Sequence, residues 1–380
     1  MSRAHPVISI TGSSGAGTTS VKKTFENIFR REKVAAAYIE GDAFHRYNRF
    51  EMRTKMAEKA ERGNGHFSHF SPETNLFEEL EKVFRDYGES GTGTTRRYVH
   101  DDEEAKLYGA DPGTFTEWGP LPENSDLLFY EGLHGAVVTD RVNIAQHADL
   151  KIGVVPVINL EWIQKLHRDR SDRGYTAEAV TDTILRRMPD YVNYICPQFA
   201  ETDINFQRVP TVDTSNPFIA RWIPTPDESM VVIRLRNPRG IDFPYLLSMI
   251  PHSFMSRANS IVIHGAKLDL AMQLILTPLI LQLMERKRRT ICTLPLCPAL
   301  KAARMSRTRK WPTPSASWQS TPSRRRSLVT RACRWAWPTS LPCCSRAFSN
   351  SIQLSRRGRI ATALFCLPGT ARCCSMRCCT

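Results

Sequence analysis

A run of small residues, Gly12, Ser13, Ser14, Gly15, Ala16 and Gly17, lies between the apolar stretch Val7 to Ile10 and a segment opening at Thr18, Thr19 and Ser20. Phe25, Ile28 and Phe29 give that last segment one apolar helical face. Strand, small-residue loop and helix N-terminus in that order make a phosphate cradle. Free backbone N–H groups and the positive end of the helix dipole face an anion, and glycine lets it come close. The pattern G-x-x-x-x-G-K-[ST] is met at Gly12, Gly17 and Thr19, but Thr18 stands where lysine is expected. The Thr19 hydroxyl is placed to ligand magnesium, and the missing positive charge must come from elsewhere in the chain.

Two acids are predicted at strand ends near that cradle. Ala35 to Ile39 reads as a strand running into Asp42, a candidate general base, since ligands of open α/β sheets bind at the carboxyl ends of strands. His45 and Arg49 follow at a spacing of one helical turn and would grip a second anion if this stretch is helical. Asp126 to Gly135 reads as a buried strand ending in Glu131, the natural partner of Thr19 for holding the metal. From Asn159, Trp162, Ile163 and Leu166 mark a core face, while Lys165, Arg168, Asp169 and Arg173 line another. A basic helix followed by Gly174 and a second helix from Thr176 to Met188 has the pattern of a lid over phosphates, and its cations would replace the charge that Thr18 lacks.

The elements that must position these residues alternate between strands and helices. A helix is predicted from Glu73 to Tyr87, with Leu76, Leu80 and Phe84 on its core face. A strand follows from Arg96 to Asp102 carrying His100, then a Gly/Pro-rich loop to Asn124. Ala148 to Val155 is apolar almost throughout, as in a parallel sheet covered on both faces. Gln207 to Pro217 reads as a loop against the site, Met230 to Leu235 and Ser260 to His264 as strands, and Leu268 to Glu285 as an amphipathic helix. No run of about 18 uninterrupted apolar residues is present for a membrane span, so a cytoplasmic protein without a membrane partner is expected.

The net charge of +14 belongs to one end of the chain. Residues 291–380 hold 16 of the 52 Lys and Arg and no Asp or Glu, leaving 36 bases against 38 acids before them. Ten of the 11 cysteines follow position 291 as well, and Cys196 alone precedes it. A nearly neutral first part with one cysteine fits a reducing compartment and argues against a nucleic-acid face.

Taken together, residues 1–290 resemble the bacterial phosphoribulokinases over their full length. The resemblance is carried by Gly-Ser-Ser-Gly-Ala-Gly-Thr-Thr (12–19), Glu-Gly-Asp-Ala-Phe-His-Arg (40–46), Tyr-Glu-Gly-Leu-His-Gly (130–135), Gln-Lys-Leu-His-Arg-Asp-Arg (164–170) and Asp-Thr-Ser-Asn-Pro-Phe (213–218). That family also has Thr at the position of Thr18. The resemblance implies an α/β, P-loop-kinase-like mixed sheet flanked by helices, and transfer of the γ-phosphoryl of Mg-ATP to O1 of ribulose 5-phosphate for carbon fixation. It makes Asp42 the base, Glu131 or Asp169 the metal holder, with Asp169 a candidate to share the base role. His45, Arg49, His100, Lys165, Arg168 and Arg173 bind the sugar phosphate or stabilise charge. It further implies a homo-octamer activated by NADH and inhibited by AMP, with Arg31, Arg234 and Arg257 as effector contacts. The other readings are a uridine-kinase-like nucleoside kinase and a non-catalytic nucleotide-binding regulator. Asp42 together with Glu131 favours chemistry over mere binding.

Residues 291–380 have no counterpart in that family. Their adjacent cysteines at 343/344, 373/374 and 378/379 fit no C-x₂₋₄-C metal spacing. Read from the third base of each codon, Thr-Arg-Ala-Cys-Arg-Trp-Ala-Trp-Pro (330–338) is compatible with Pro-Gly-Met-Pro-Met-Gly-Met-Ala, and residues 370–380 with Gly-Ser-Met-Leu-Leu-Tyr-Ala-Leu-Leu-Tyr. Those hidden peptides resemble the amino-terminal part of a transketolase. The expectation is a kinase domain over 1–290 and a basic, disordered readthrough tail over 291–380.

Overall fold

The computed structural model describes residues 5–13, 18–155, 157–171 and 176–293, the side chains of residues 19, 20 and 290–293 excepted. The described elements are β1 (Val7–Thr11), α1 (Thr18–Glu32), β2 (Ala36–Glu40), α2 (Arg49–Glu61), α3 (Phe77–Ser90), β3 (Thr94–Thr95), α4 (Asp102–Tyr108), β4 (Gly119–Pro120), β5 (Leu127–Gly132), β6 (Leu150–Val155), α5 (Ile158–Ser171), α6 (Ala177–Asp190), α7 (Gln198–Glu201), β7 (Ile204–Pro210), β8 (Ser229–Leu235), α8 (Phe243–Met249), β9 (Phe254–Arg257), β10 (Ser260–His264) and α9 (Leu268–Thr293). Eight strands form one sheet in the order β2-β5-β1-β6-β7-β8-β10-β9. The first five are parallel and the last three antiparallel, so the mixed α/β sheet expected from the sequence is what forms.

Alternation along the strands divides the core. Ile8, Ile10, Phe129, Ile152, Phe206, Ile233 and Ile261 pack on one face beneath α1 and α9. Val7, Ile39, Leu128 and Tyr130 face the other way, against Phe77, Leu80 and Phe84 of α3. Parallel strands buried on both faces read as continuous apolar runs, which is why β1, β5 and β6 were visible in the sequence. Phe25 of α1 stands 5.0 Å from the Phe129 ring and Phe29 stands 5.4 Å from it, both in tilted or edge contact. Removing the fully buried Phe129 ring should therefore cost about 3–5 kcal/mol of stability, read as a lower denaturation midpoint for Phe129→Ala at unchanged slope.

α9 is the one described helix long and apolar enough to cross a membrane by length and composition. Its Ala271, Met272, Ile275, Leu276 and Ile280 are buried in the sheet core instead. Four local expectations change. The helix predicted from Glu73 begins at Phe77, because Pro72–Thr74 forms a separate 3₁₀ turn capped by Ser71. Between Arg96 and Asp101 there is a single bridge, Tyr98 to Phe115, in place of the strand, and Asp101 caps α4, which begins at Asp102 and lies in what the sequence offers as loop. Gln207 to Pro210 belongs to β7, paired with β8 from Gln207↔Val232 to Pro210↔Ser229. His45 and Arg49 do not share a helical turn: His45 closes a 3₁₀ turn in extended conformation and Arg49 opens α2 behind the capping box of Asn48 and Glu51.

Candidate active site

The carboxyl ends of β2, β5 and β1 meet where the sequence places the acids. Glu40 and Glu131 pair across β2 and β5, and Ile10 of β1 pairs with Glu131. β2 then turns sharply. A Cβ on Gly41 would lie 2.7 Å from the Tyr130 hydroxyl and 2.8 Å from the Gly132 Cα, so only glycine lets the two strand ends pass. The result is a 3₁₀ turn, Gly41–Phe44, that presents the Asp42 carboxylate at the rim of the sheet.

Asp42 sits among imidazoles. Its Oδ1 is 3.2 Å from His45 Nε2 and its Oδ2 is 3.7 Å from His100 Nε2, with the side chain as a whole 43% exposed. Desolvation by the protein packed around it pushes its pKa up, but the His45 hydrogen bond and the nearby His45, His100 and His69 rings outweigh this and hold it well below the usual carboxylate range. His45 in turn is buried, bonded through Nδ1 to Asn75 Oδ1 at 2.8 Å and stacked 4.5 Å from the His69 ring. The Asn75 Nδ2 donates to the carbonyls of His69 at 2.9 Å and Ser71 at 2.8 Å, which orients the amide. Arg49 lies on the outer side, its guanidinium donating to the His100 carbonyl at 2.8 Å. His45 and His100 thus flank Asp42, and Arg49 joins them through the His100 carbonyl, so three different segments meet here.

Behind this rim, His134 is buried and its Nε2 lies 3.2 Å from the His69 carbonyl. Burial pushes its pKa down to about 3, so the native state keeps it neutral. The unfolded chain takes up a proton at this position from 6.5 downward, whereas the native state does so only near 3, so stability falls as pH drops through that window. His69 adds in the same sense. Denaturant melts at pH 7 and pH 5.5 should show wild type losing ~1 kcal/mol more than His134→Phe over that interval.

Gly12 and Ser13 are the described part of the phosphate loop; Ser14, Gly15, Ala16 and Gly17 lie outside the described residues, as do the side chains of Thr19 and Ser20. A Cβ on Gly12 would stand 2.8 Å from Thr18 Cγ2 and 3.0 Å from the Val154 carbonyl oxygen, so the loop needs glycine there. Thr18, in the place of the lysine, gives its side-chain hydrogen bond to Glu131. Burial raises the Glu131 pKa, opposed by that bond and by Lys22. Lys22, one turn along α1, is bonded to Glu40 at 3.1 Å. The Glu131 carboxylate supplies hard oxygen of the kind that suits magnesium, while the N-terminus of α1 suits the anionic phosphates that would carry the ion, so the residues present fit a divalent ion brought in with a nucleotide.

α5 meets the phosphate loop directly. Ser13 Oγ donates to the buried Glu161 carboxylate, whose other oxygen accepts from Tyr191 Oη at 3.2 Å. Glu161, Lys165 and Asp169 follow at four-residue intervals on one side of α5. Lys165 is bonded to Asp169, and Arg168 Nη2 reaches the other Asp169 oxygen at 3.1 Å. Asp169 is nearly closed off, with 5% of its side chain exposed. Burial lowers the Lys165 pKa, with the Asp169 hydrogen bond and charge opposing it. A cation, a buried acid and a second cation therefore stand on the helix that touches the cradle. Arg173 lies outside the described residues.

Residues 7–215 match the model of the phosphoribulokinase / uridine kinase family. The chain belongs to that family. Among relatives in the phosphoribulokinase / uridine kinase family, it is 85% identical over 289 residues to the phosphoribulokinase of Nitrobacter vulgaris, covering 76% of this chain and all of that one. It is 70% identical over 289 residues to the chromosomal phosphoribulokinase of Cupriavidus necator, covering 76% of this chain and 99% of that protein. The solved structure of phosphoribulokinase from Rhodobacter spheroides superposes with a TM-score of 0.69 at 66% identity, covering 75% of this chain and 99% of that one.

Within this phosphoribulokinase / uridine kinase fold the three arginines read as effector contacts divide. Arg234 of β8 and Arg257 of β9 flank Ser260 of β10 in one row of the sheet. Arg31 is bonded to Gln273 at 3.1 Å and Thr277 at 2.9 Å on α9, which packs on the face where Val231, Ile233 and Leu235 are buried. Alternation along β8 turns Arg234 to the opposite face, so Arg31 does not join that pair within one chain. Four residues that touch this site escaped the sequence reading: Glu161, Tyr191, Asn75 and Arg96. Ser13 and Glu161 are 148 positions apart, and no local pattern marks such a pair.

Proposed function

We propose that this chain transfers the γ-phosphoryl group of ATP to O1 of ribulose 5-phosphate, giving ribulose 1,5-bisphosphate and ADP. The observation that carries this reading is the Asp42 carboxylate, partly open to solvent, held between His45 and His100 and close enough to Glu131 for the two charges to interact. The high identity to proteins named phosphoribulokinase supports the choice of substrate. Asp42 takes the O1 proton as the oxygen attacks the γ-phosphorus; the O–P bond to the sugar forms while the bond to the β-phosphate oxygen breaks. Magnesium, when bound with ATP, neutralises phosphate charge, and Glu131 with Thr19 would hold it. Lys165 and Arg168, steadied by Asp169, stabilise the charge that builds on the transferring group, in place of the loop lysine. His45, Arg49, His100 and Arg173 receive the sugar phosphate, and the loop residues Gly12 to Ser20 receive the nucleotide.

The regulatory and assembly readings extend the same proposal: an octamer in the cytoplasm, with NADH and AMP acting as effectors. Arg234 and Arg257 supply adjacent positive charge for an anionic effector, and Arg31 would contribute only from another chain. Residues 291–380 stand outside the catalytic unit and derive from a neighbouring reading frame. The relatives' full coverage within 289 residues supports this. ADP release should be measured with ribulose 5-phosphate and with uridine, on the full chain and on a version stopped after Thr290. Turnover of the sugar phosphate by both forms is expected. Turnover of uridine alone would overturn the substrate, and genomic sequence lacking a transketolase frame across residues 291–380 would overturn the origin of the tail.

A further inference from the structure

Arg96 belongs to none of the motifs above, yet its guanidinium is spent on the backbone of the Asp42 turn. Its Nε donates to the Ala43 carbonyl at 2.9 Å and its Nη2 to the His45 carbonyl at 2.6 Å. The group lies over the Phe115 ring, 3.6 Å from the centroid, and 4.9 Å from the Trp118 centroid. Trp118 is in edge contact with Phe44 of the same turn at 5.6 Å. Two carbonyls and two rings fix one planar fork, a combination that guanidinium supplies and ammonium does not.

The segment carrying Arg96 also carries His100. Arg97 O accepts from Thr116 N at 2.9 Å, Val99 N donates to Thr114 O at 2.9 Å, and Tyr98 bridges Phe115, so residues 96–100 and 113–116 are tied into one two-armed loop. At one end of that loop Arg96 grips the carbonyls on either side of Phe44; at the other His100 Nε2 reaches Asp42 Oδ2 at 3.7 Å. Arg49 steadies the His100 end through its carbonyl.

We propose that Arg96 is a positioning residue for phosphoryl transfer: it clamps the Asp42 turn to the loop bearing His100, and so sets where the base stands relative to the substrate hydroxyl. It touches neither nucleotide nor sugar phosphate. This rests on the reading of Asp42 as the base. A misplacement of the reacting groups by about 1 Å costs on the order of 10²-fold in rate, so Arg96→Ala should lower kcat by about that factor while the KM for ATP stays unchanged. Arg96→Lys keeps the charge and loses the fork, and should also lose rate.

The test uses the full chain with ATP and ribulose 5-phosphate. Millimolar guanidinium should restore part of the kcat of Arg96→Ala, and ammonium at equal ionic strength should not. Combined with His100→Ala, Arg96→Ala should cost less than it does alone, because part of its effect runs through His100. Wild-type kcat in Arg96→Lys, rescue by neither cation, or a strictly additive double variant would overturn the proposal. If Arg96→Ala does not fold, the cycle is run with Arg96→Lys and read the same way. Absence of wild-type turnover refutes the substrate assignment instead, so the two failures are distinguishable.

Discussion

Asp42→Asn should lose about 10³-fold in kcat, within the 10²–10⁴ that general base catalysis contributes, with the KM for ATP unchanged. Asparagine fills the same space between His45 and His100 but takes no proton. The side chain is partly open to solvent, and two imidazole Nε2 atoms at 3.2 and 3.7 Å hold its orientation. Those rings keep its pKa below the ordinary 3.8. Lowering the pH from 7 to 5 therefore leaves Asp42 ionised, and an acid limb of the rate in that interval must belong to another group. Steady-state rates across this interval for wild type check both statements. A residual rate in Asp42→Asn within tenfold of wild type would remove Asp42 from the base role.

Lys165→Met should lower kcat by about 10²–10³-fold, the cost of deleting one preorganised charge from a phosphoryl-transfer site. The argument is positional. Thr18 leaves the loop without its lysine, and α5 is the helix bonded to the loop, through Ser13 and Glu161. Lys165 is one turn from Glu161 on the same side, and burial against Asp169 keeps it in place. Lys22, which interacts with Glu131, is committed to Glu40 at 3.1 Å. Asp169 retains Arg168 at 3.1 Å when Lys165 is removed, so the thermal midpoint should stay near that of wild type. A large drop in midpoint with kcat preserved per folded molecule would make Lys165 structural.

The parallel strands and the acids at their ends were legible in the sequence because each is a local signal: a continuous apolar run, then a polar residue where the run stops. β1, β5 and β6 show this, and so does the placement of Asp42 and Glu131. The bases on α5 were legible for the same reason, through the four-residue spacing of a helix. What escaped depends on contacts distant in the chain. The sequence over Gln207 to Pro210 has the character of a loop because Arg208 and Pro210 mask a strand that its partner β8 dictates. The His45–Arg49 spacing suits a helical turn, but Asn48 caps α2 and starts the helix only at Arg49, four residues after His45. Glu161 reads in sequence as one more charge on a basic helix, and only the fold brings it against Ser13. Arg96 looked like a strand residue, and its work lies in two backbone carbonyls that no side-chain pattern announces.

The central claim is that this chain phosphorylates the C1 hydroxyl of ribulose 5-phosphate with Asp42 as base. The most direct measurement is ³¹P and ¹³C NMR of the product made from C1-labelled substrate and ATP, by wild type and by Asp42→Asn in parallel. The account predicts a new phosphate monoester coupled to the labelled C1 in the wild-type reaction and almost none with Asp42→Asn. An ester at another carbon, no ester with wild type, or equal formation by both proteins would contradict it.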